Sequence, residues 1–299
     1  MGGQAVLEGV MMRSPSYWSL AVRRPDGDIH RNLRPVDSIL QRHPRLRLPL
    51  LRGVINLGST LVLGLRALQE SAEVALQPAD SGDEDAEPEG GKGWGWTEFS
   101  VSLALALALF VLLFVLLPTW LAGLLPGARS HVFLFNLAEG LLRVLIFVLY
   151  LSAISCMKDV RRMFQYHGAE HQAIHLFEEG LPLRPEEALR QGTDHLRCGT
   201  SFLLYALVLT VLVYALLGRP PLWLRVLERV ALLPLIAGLA YEIMKLADRY
   251  RGSRLLRAMA APGLALQRLT TRRPAADQAE VAVASLKMVL DAENRPYAS

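Results

Sequence analysis

Residues 99–128 read FSVSLALALALFVLLFVLLPTWLAGLLPGA, thirty positions without one charged side chain. About 20 apolar residues carry a helix across the hydrocarbon core, and a helix satisfies its own backbone there. This stretch alone makes the chain an integral membrane protein. Working outward, three more runs have the same character: 137–157, 199–217 and 224–244. Composition agrees: 52% of the 299 residues are hydrophobic and the mean hydropathy is +0.27, too apolar for an ordinary soluble domain. The expected fold is all-α: a polytopic membrane protein with about four transmembrane helices and a small cytoplasmic polar region.

Charge is distributed unevenly around those runs. Residues 1–52 carry nine Arg against four acids, residues 245–299 carry ten Lys/Arg against five, and residues 66–99 carry two basic residues against nine acids. Basic flanks beside apolar spans are the usual mark of cytoplasmic segments, so the lipid bilayer is the expected partner and nucleic acid is not. Four spans put both termini on one side, which the Lys/Arg bias makes the cytoplasm. The resulting organisation is a cytoplasmic N-terminal region over 1–98, helices 1 and 2 over 99–157, a cytoplasmic His-rich loop over 158–198, helices 3 and 4 over 199–244, and a cytoplasmic tail over 245–299. No cleavable leader is visible in the first residues.

Within the N-terminal region, residues 1–52 read as irregular, with turn signals at Pro25-Asp26-Gly27, Pro35, Pro44 and Pro49. Residues 48–65 are apolar but hold Arg52, with Arg66 just beyond. This is short for a crossing, and reads as a surface-lying or re-entrant helix. Residues 77–93 form an acidic, Gly-rich linker, followed by Trp94 and Trp96 at an expected membrane interface. Glu139 and Arg143, four apart in the second span, suit a helical ion pair. In the tail, a basic helix over 249–260 is expected to stop at Pro262-Gly263.

The 158–198 loop is where chemistry is expected. It holds a helix over 161–179 stopped by Gly180, then a short helix opened by Pro185. His167-Gly168-Ala169-Glu170-His171 is His-x-x-Glu-His: residues four apart share one helix face, so His167 and His171 can hold one metal ion while Glu170 stands beside them to take a proton. The order is that of the inverted zinc proteases. His195-Leu196-Arg197-Cys198 follows, a second His/Cys pair at the start of the third run. Imidazole with thiolate favours zinc. Two readings stay open. His167, His171, His195 and Cys198 make a complete set of four for a structural zinc, whereas a catalytic zinc keeps one position for water. Glu242 is a candidate distant ligand or orienting carboxylate, or else the i, i+3 partner of Lys245; His175 is a candidate neighbour of the site one turn further on. Gly2-Gly3-Gln4 matches the hydrolytic tip of peptide-release factors over three residues only.

Four ordered motifs carry a family resemblance: residues 2–13 (GGQAVLEGVMMR), His167–His171, residues 197–202 (RCGTSF) and residues 262–267 (PGLALQ). Together they resemble the bacterial YqhQ-like family of unknown function, over nearly the whole chain. Members of that family are commonly labelled predicted metal-dependent enzymes, which implies a bacterial membrane protein with His167, Glu170, His171, His195 and Cys198 as the positions of interest. The expected function is a zinc-dependent hydrolase at the cytoplasmic face, with Glu170 as general base. The alternative is a membrane scaffold held by a structural zinc.

Overall fold

Residues 2–35 alternate short apolar runs with turn residues. In the computed structural model they form four strands, β1 (Gly2–Val6), β2 (Gly9–Arg13), β3 (Tyr17–Arg23) and β4 (Ile29–Pro35). The strands pair antiparallel in sequence order, Val6 opposite Gly9, Gly9 opposite Val22 and Arg23 opposite Ile29. The expected irregular region is therefore a sheet. Its signal was concealed because both faces are covered, so β2 lacks the apolar–polar alternation of a half-buried strand. Val10, Met12 and Ala21 enter one core; Val6, Met11, Trp18, Leu20 and Val22 enter another on the opposite side. The Pro25-Asp26-Gly27 signal does mark the β3–β4 turn, with Gly27 at φ 97°. The structure describes residues 1–37, 39–43, 45, 48–76, 96–126, 131–218, 220–250 and 254–298. The linker expected over 77–93 and the interfacial Trp94 lie outside them.

The rest is helical: α1 (Ile39–Arg42), α2 (Leu51–Ala75), α3 (Trp96–Val111) continued through a π-helical turn (Leu112–Leu116) into α4 (Leu117–Leu124), α5 (Val132–Ile154), α6 (Lys158–Glu179), α7 (Pro185–Ala188), α8 (Gly199–Ala215), α9 (Leu222–Arg249), α10 (Arg254–Thr270) and α11 (Ala276–Ala292). Among the described residues, four helices are long and apolar enough to cross a membrane: Leu51–Ala75, Ser100–Leu124, Val132–Ile154 and Trp223–Arg249. The helical, membrane-type fold is as expected, with a small sheet added. Membership of the set differs: α2 runs on past Leu65, because RALQESAEVA (66–75) holds no helix breaker, while α8 is apolar but only 17 residues long. The break expected at Pro262-Gly263 does not occur. Pro262 sits inside α10, where proline forfeits one intrahelical bond but keeps a helical φ, and Gly263 packs on Ser201.

Two compact units emerge. The first comprises residues 1–79, 151–206 and 233–299. In it the sheet is sandwiched, with α6 and α11 on one face (Tyr166, Ala169, Ala173, Ile174, Ala282, Leu286) and α2 on the other (Ala67, Val74). The N-terminal strands, the His-rich loop and the C-terminal tail thus share one hydrophobic core.

The second unit comprises residues 80–150 and 207–232. Glu139, 1% exposed, is its polar centre. The expected pair with Arg143 is present at 2.8 Å, and Arg229 of α9 joins it with two bonds of 2.6 and 2.8 Å. Thr119 donates to the same carboxylate, and Arg143 Nε donates to the Phe114 carbonyl in the π-helical turn. A buried carboxylate with this many donors is satisfied as well as paired.

Candidate metal centre

α6 carries the His-x-x-Glu-His motif, and Gly180 ends it in the left-handed conformation at φ 67°. Gly168, between the two histidines' turns, has a packing reason: a Cβ there would run into the Arg272 carbonyl. The bare backbone lets the segment after α10 lie directly on α6, where Arg272 N–H donates to the Phe164 carbonyl. The same approach brings the Thr270 carbonyl to His167 Nδ1 at 2.8 Å. His171 Nδ1 meets the Thr193 carbonyl at 2.6 Å. A carbonyl only accepts, so Nδ1 of each ring is the donor, which leaves Nε2 as the nitrogen that could bind a metal. Metal-binding histidines are oriented this way.

Cys198 immediately precedes α8, and its Sγ lies 3.3 Å from His167 Nε2. The Thr200 N–H points at the same sulfur, 3.4 Å away. One ligand atom each from His167, His171 and Cys198 falls within 4.8 Å of the others. Two imidazole nitrogens, their rings held by backbone carbonyls, and a sulfur approached by a backbone N–H, brought together across α6 and the start of α8, suit zinc by donor type.

Of the other expected ligands, His195 stands outside that group. Its ring is 5.6 Å from His171, centroid to centroid, and its Nε2 lies 3.5 Å from Glu178. Its backbone is clamped by Gln267, whose Oε1 accepts the His195 N–H at 2.9 Å and whose Nε2 donates to the His195 carbonyl and to Ser201 Oγ. His175 is a half-buried neighbour, bonded to the Asp194 carbonyl. Glu242 is engaged by Arg52 at both oxygens, at 2.7 and 2.6 Å, with the Lys245 charge also acting on it.

Glu170 is buried beside the centre, its Oε2 3.9 Å from His167 Nε2. Burial pushes its pKa up to about 7, opposed by His167 and by a hydrogen bond from the Gly3 backbone N–H. Gly3 is the participant that sequence reasoning missed. A Cβ at that position would fall 2.7 Å from Glu170 Cγ, so only glycine lets β1 lie against the carboxylate. The Gly2-Gly3-Gln4 signal was visible; its structural reason was not.

Residues 48–292 match a family described as a protein of unknown function, DUF1385. The chain is also 36% identical to the uncharacterised protein YqhQ of Bacillus subtilis (strain 168), over 98% of this chain and 92% of that one. No solved structure matches.

Proposed function

Starting from a chain that belongs to the DUF1385 family, we propose a zinc-dependent hydrolase in a bacterial cytoplasmic membrane, its termini and centre on the cytoplasmic side. The observation that carries this reading is that His195 stands apart from the cluster of His167, His171 and Cys198. Three ligands with a buried carboxylate beside them are the pattern of a catalytic zinc, whereas a structural site closes with four. Zinc held there would acidify a water molecule and polarise the bond to be cleaved. The chain's own residues do the rest. The Thr270 and Thr193 carbonyls fix the imidazole tautomers, Gly3 N–H steadies Glu170, and Glu170 accepts the proton of the attacking water and returns it to the leaving group.

The structural-zinc scaffold is favoured by one observation: His171 and Cys198 are only 1% and 4% exposed. Glu170→Gln separates the two. Gln keeps shape and hydrogen bonding but accepts no proton, so a hydrolase retains zinc and fold yet fails to complement a deletion strain. Full complementation at native expression would sink the hydrolase and leave the scaffold.

A further inference from the structure

Leu51–Ala75 has the overall length and mean hydropathy of a crossing helix, but its charges and its surroundings speak against a crossing. We propose that α2 lies in the plane of the membrane interface, its stripe of Leu57, Leu61, Leu65 and Leu68 dipping into the acyl layer, and that the shorter α8 is a crossing helix.

Parity constrains the crossings. Strands β2 and β3, helix α6 and helix α11 contribute Val10, Ala21, Ala173 and Leu286 to one core, so those three parts of the chain share a side of the membrane. Between β4 and α6 come α2, the continuous helix α3–α4, and α5. The last two are long, apolar crossings; adding α2 would make the count odd and tear α6 from the sheet. Between α6 and α11 come α8 and α9. With α9 crossing, α8 must cross as well.

Local contacts point the same way. The sheet rides along α2 from Thr60, which accepts from Arg13 at 3.0 Å, through Gly64 against Gln4 and Glu70 with Arg34 at 3.2 Å, to Val74. That is about 22 Å of helix at 1.5 Å per residue. A crossing α2 would drag Arg13, Arg34 and the open edges β1 and β4 into hydrocarbon, where unpaired sheet edges are not found. The uncharged part of α2, residues 53–65, covers only about 20 Å of a core near 30 Å.

The remaining surface identifies the occupant. Leu57, Leu61, Leu65 and Leu68 are 39%, 62%, 58% and 38% exposed and recur at helical spacing. Arg66, Gln69 and Glu73 are exposed on the adjoining polar arc. A helix with one face on protein, one apolar and one charged suits an interface. Its N-terminal turn is fastened to the crossing helix α9, by Gly53 on Tyr241, by Asn56 Nδ2 to the Tyr241 hydroxyl at 3.1 Å, and by Arg52 on Glu242. α9 exposes Leu233, Leu235 and Leu246, so the stripe continues an apolar surface that already meets lipid. Gln4 packs on α2 while Gly3 touches Glu170, which leaves one strand between this helix and the candidate centre.

The test is spin-label depth on full-length protein reconstituted in phosphatidylethanolamine–phosphatidylglycerol vesicles. Labels go on single cysteines at 57, 61, 65, 66, 68 and 73, in a Cys156→Ser background, with the unmodified background as control for the buried Cys198. The expected result is oxygen-accessible labels at 57, 61, 65 and 68 at depths within about one helical turn of each other, and water-accessible labels at 66 and 73. A crossing helix would spread labels 57 and 68 over about 16 Å of depth, which overturns the proposal. Water accessibility at all six positions overturns it too, and makes the stripe a protein-docking face.

Discussion

Cys198 Sγ lies 3.3 Å from His167 Nε2 although 31 positions separate them. The contact joins the His-x-x-Glu-His helix to the start of α8, while His195, nearer in sequence, turns its Nε2 to Glu178. About one zinc per chain is expected. His167→Ala and Cys198→Ser should each empty the site, and His195→Ala should leave metal content near full. Cobalt substitution provides the check: the thiolate charge-transfer band should vanish in Cys198→Ser and persist in His195→Ala. Loss of the band in the His195 variant would restore it as a ligand.

Gln267 is 1% exposed and spends its amide on both backbone groups of His195 and on Ser201. Gln267→Leu leaves those buried groups unpaired, at about 1–3 kcal/mol each, and loosens the knuckle that carries Cys198. Zinc affinity should fall about 10- to 100-fold, with a lower Tm. Chelator competition reads the first and thermal unfolding in detergent the second; unchanged affinity would show that the knuckle holds itself.

Glu139 satisfies two guanidinium groups at once. Glu139→Ala strands Arg143 and Arg229 in an apolar unit and should destabilise it by about 3–5 kcal/mol. Adding Arg229→Met should recover part of that loss, since an isolated Glu–Arg deficit is worse than an apolar replacement of both partners. Unfolding of the single and double variants gives the comparison, and a neutral Glu139→Ala would mean the cluster is hydrated.

Reporter fusions should place residue 180 and the C-terminus on one side of the membrane, as the shared core of α6 and α11 requires, and the Lys/Arg bias predicts that this side is the cytoplasm. A periplasmic signal at residue 180 would reverse the orientation.

What the sequence made legible follows from period and spacing. The span Ser100–Leu124 needs only length and the absence of charge. The pair His167/His171 needs only the 3.6-residue turn, and Gly180 and Pro185 punctuate α6 and α7 where they should. Contacts between distant segments were not legible. Gln267 holds the His195 backbone from 72 positions away, and Arg52 engages Glu242 across 190 positions. The sheet was hidden by being buried on both faces, since β2 then carries no alternation to read.

Gly3 provides the sharpest test of the centre because its neighbour Gly2 is a built-in control. A Cβ on Gly2 meets nothing within 4 Å, whereas one on Gly3 meets Glu170 Cγ at 2.7 Å and the Met11 carbonyl at 2.8 Å. Gly2→Ala should therefore be silent. Gly3→Ala must push the carboxylate aside or lift β1, and a misplacement of about 1 Å at a reacting group can lower a rate about 100-fold. Neither change touches His167, His171 or Cys198, so zinc should stay bound in both. The expected outcome is complementation by Gly2→Ala, failure of Gly3→Ala, and equal zinc content in the two proteins. Gln4→Ala adds a further arm: the Gln4 side chain is spent against Gly64 of α2, so its loss should lower Tm without the null phenotype that a release-factor-like role for the tripeptide would give. If Gly3→Ala complements while Glu170→Gln does not, the strand is a bystander and Glu170 acts without it. If Gly3→Ala loses zinc, β1 supports the ligands themselves, and the division between metal-holding α6 and carboxylate-holding β1 is wrong.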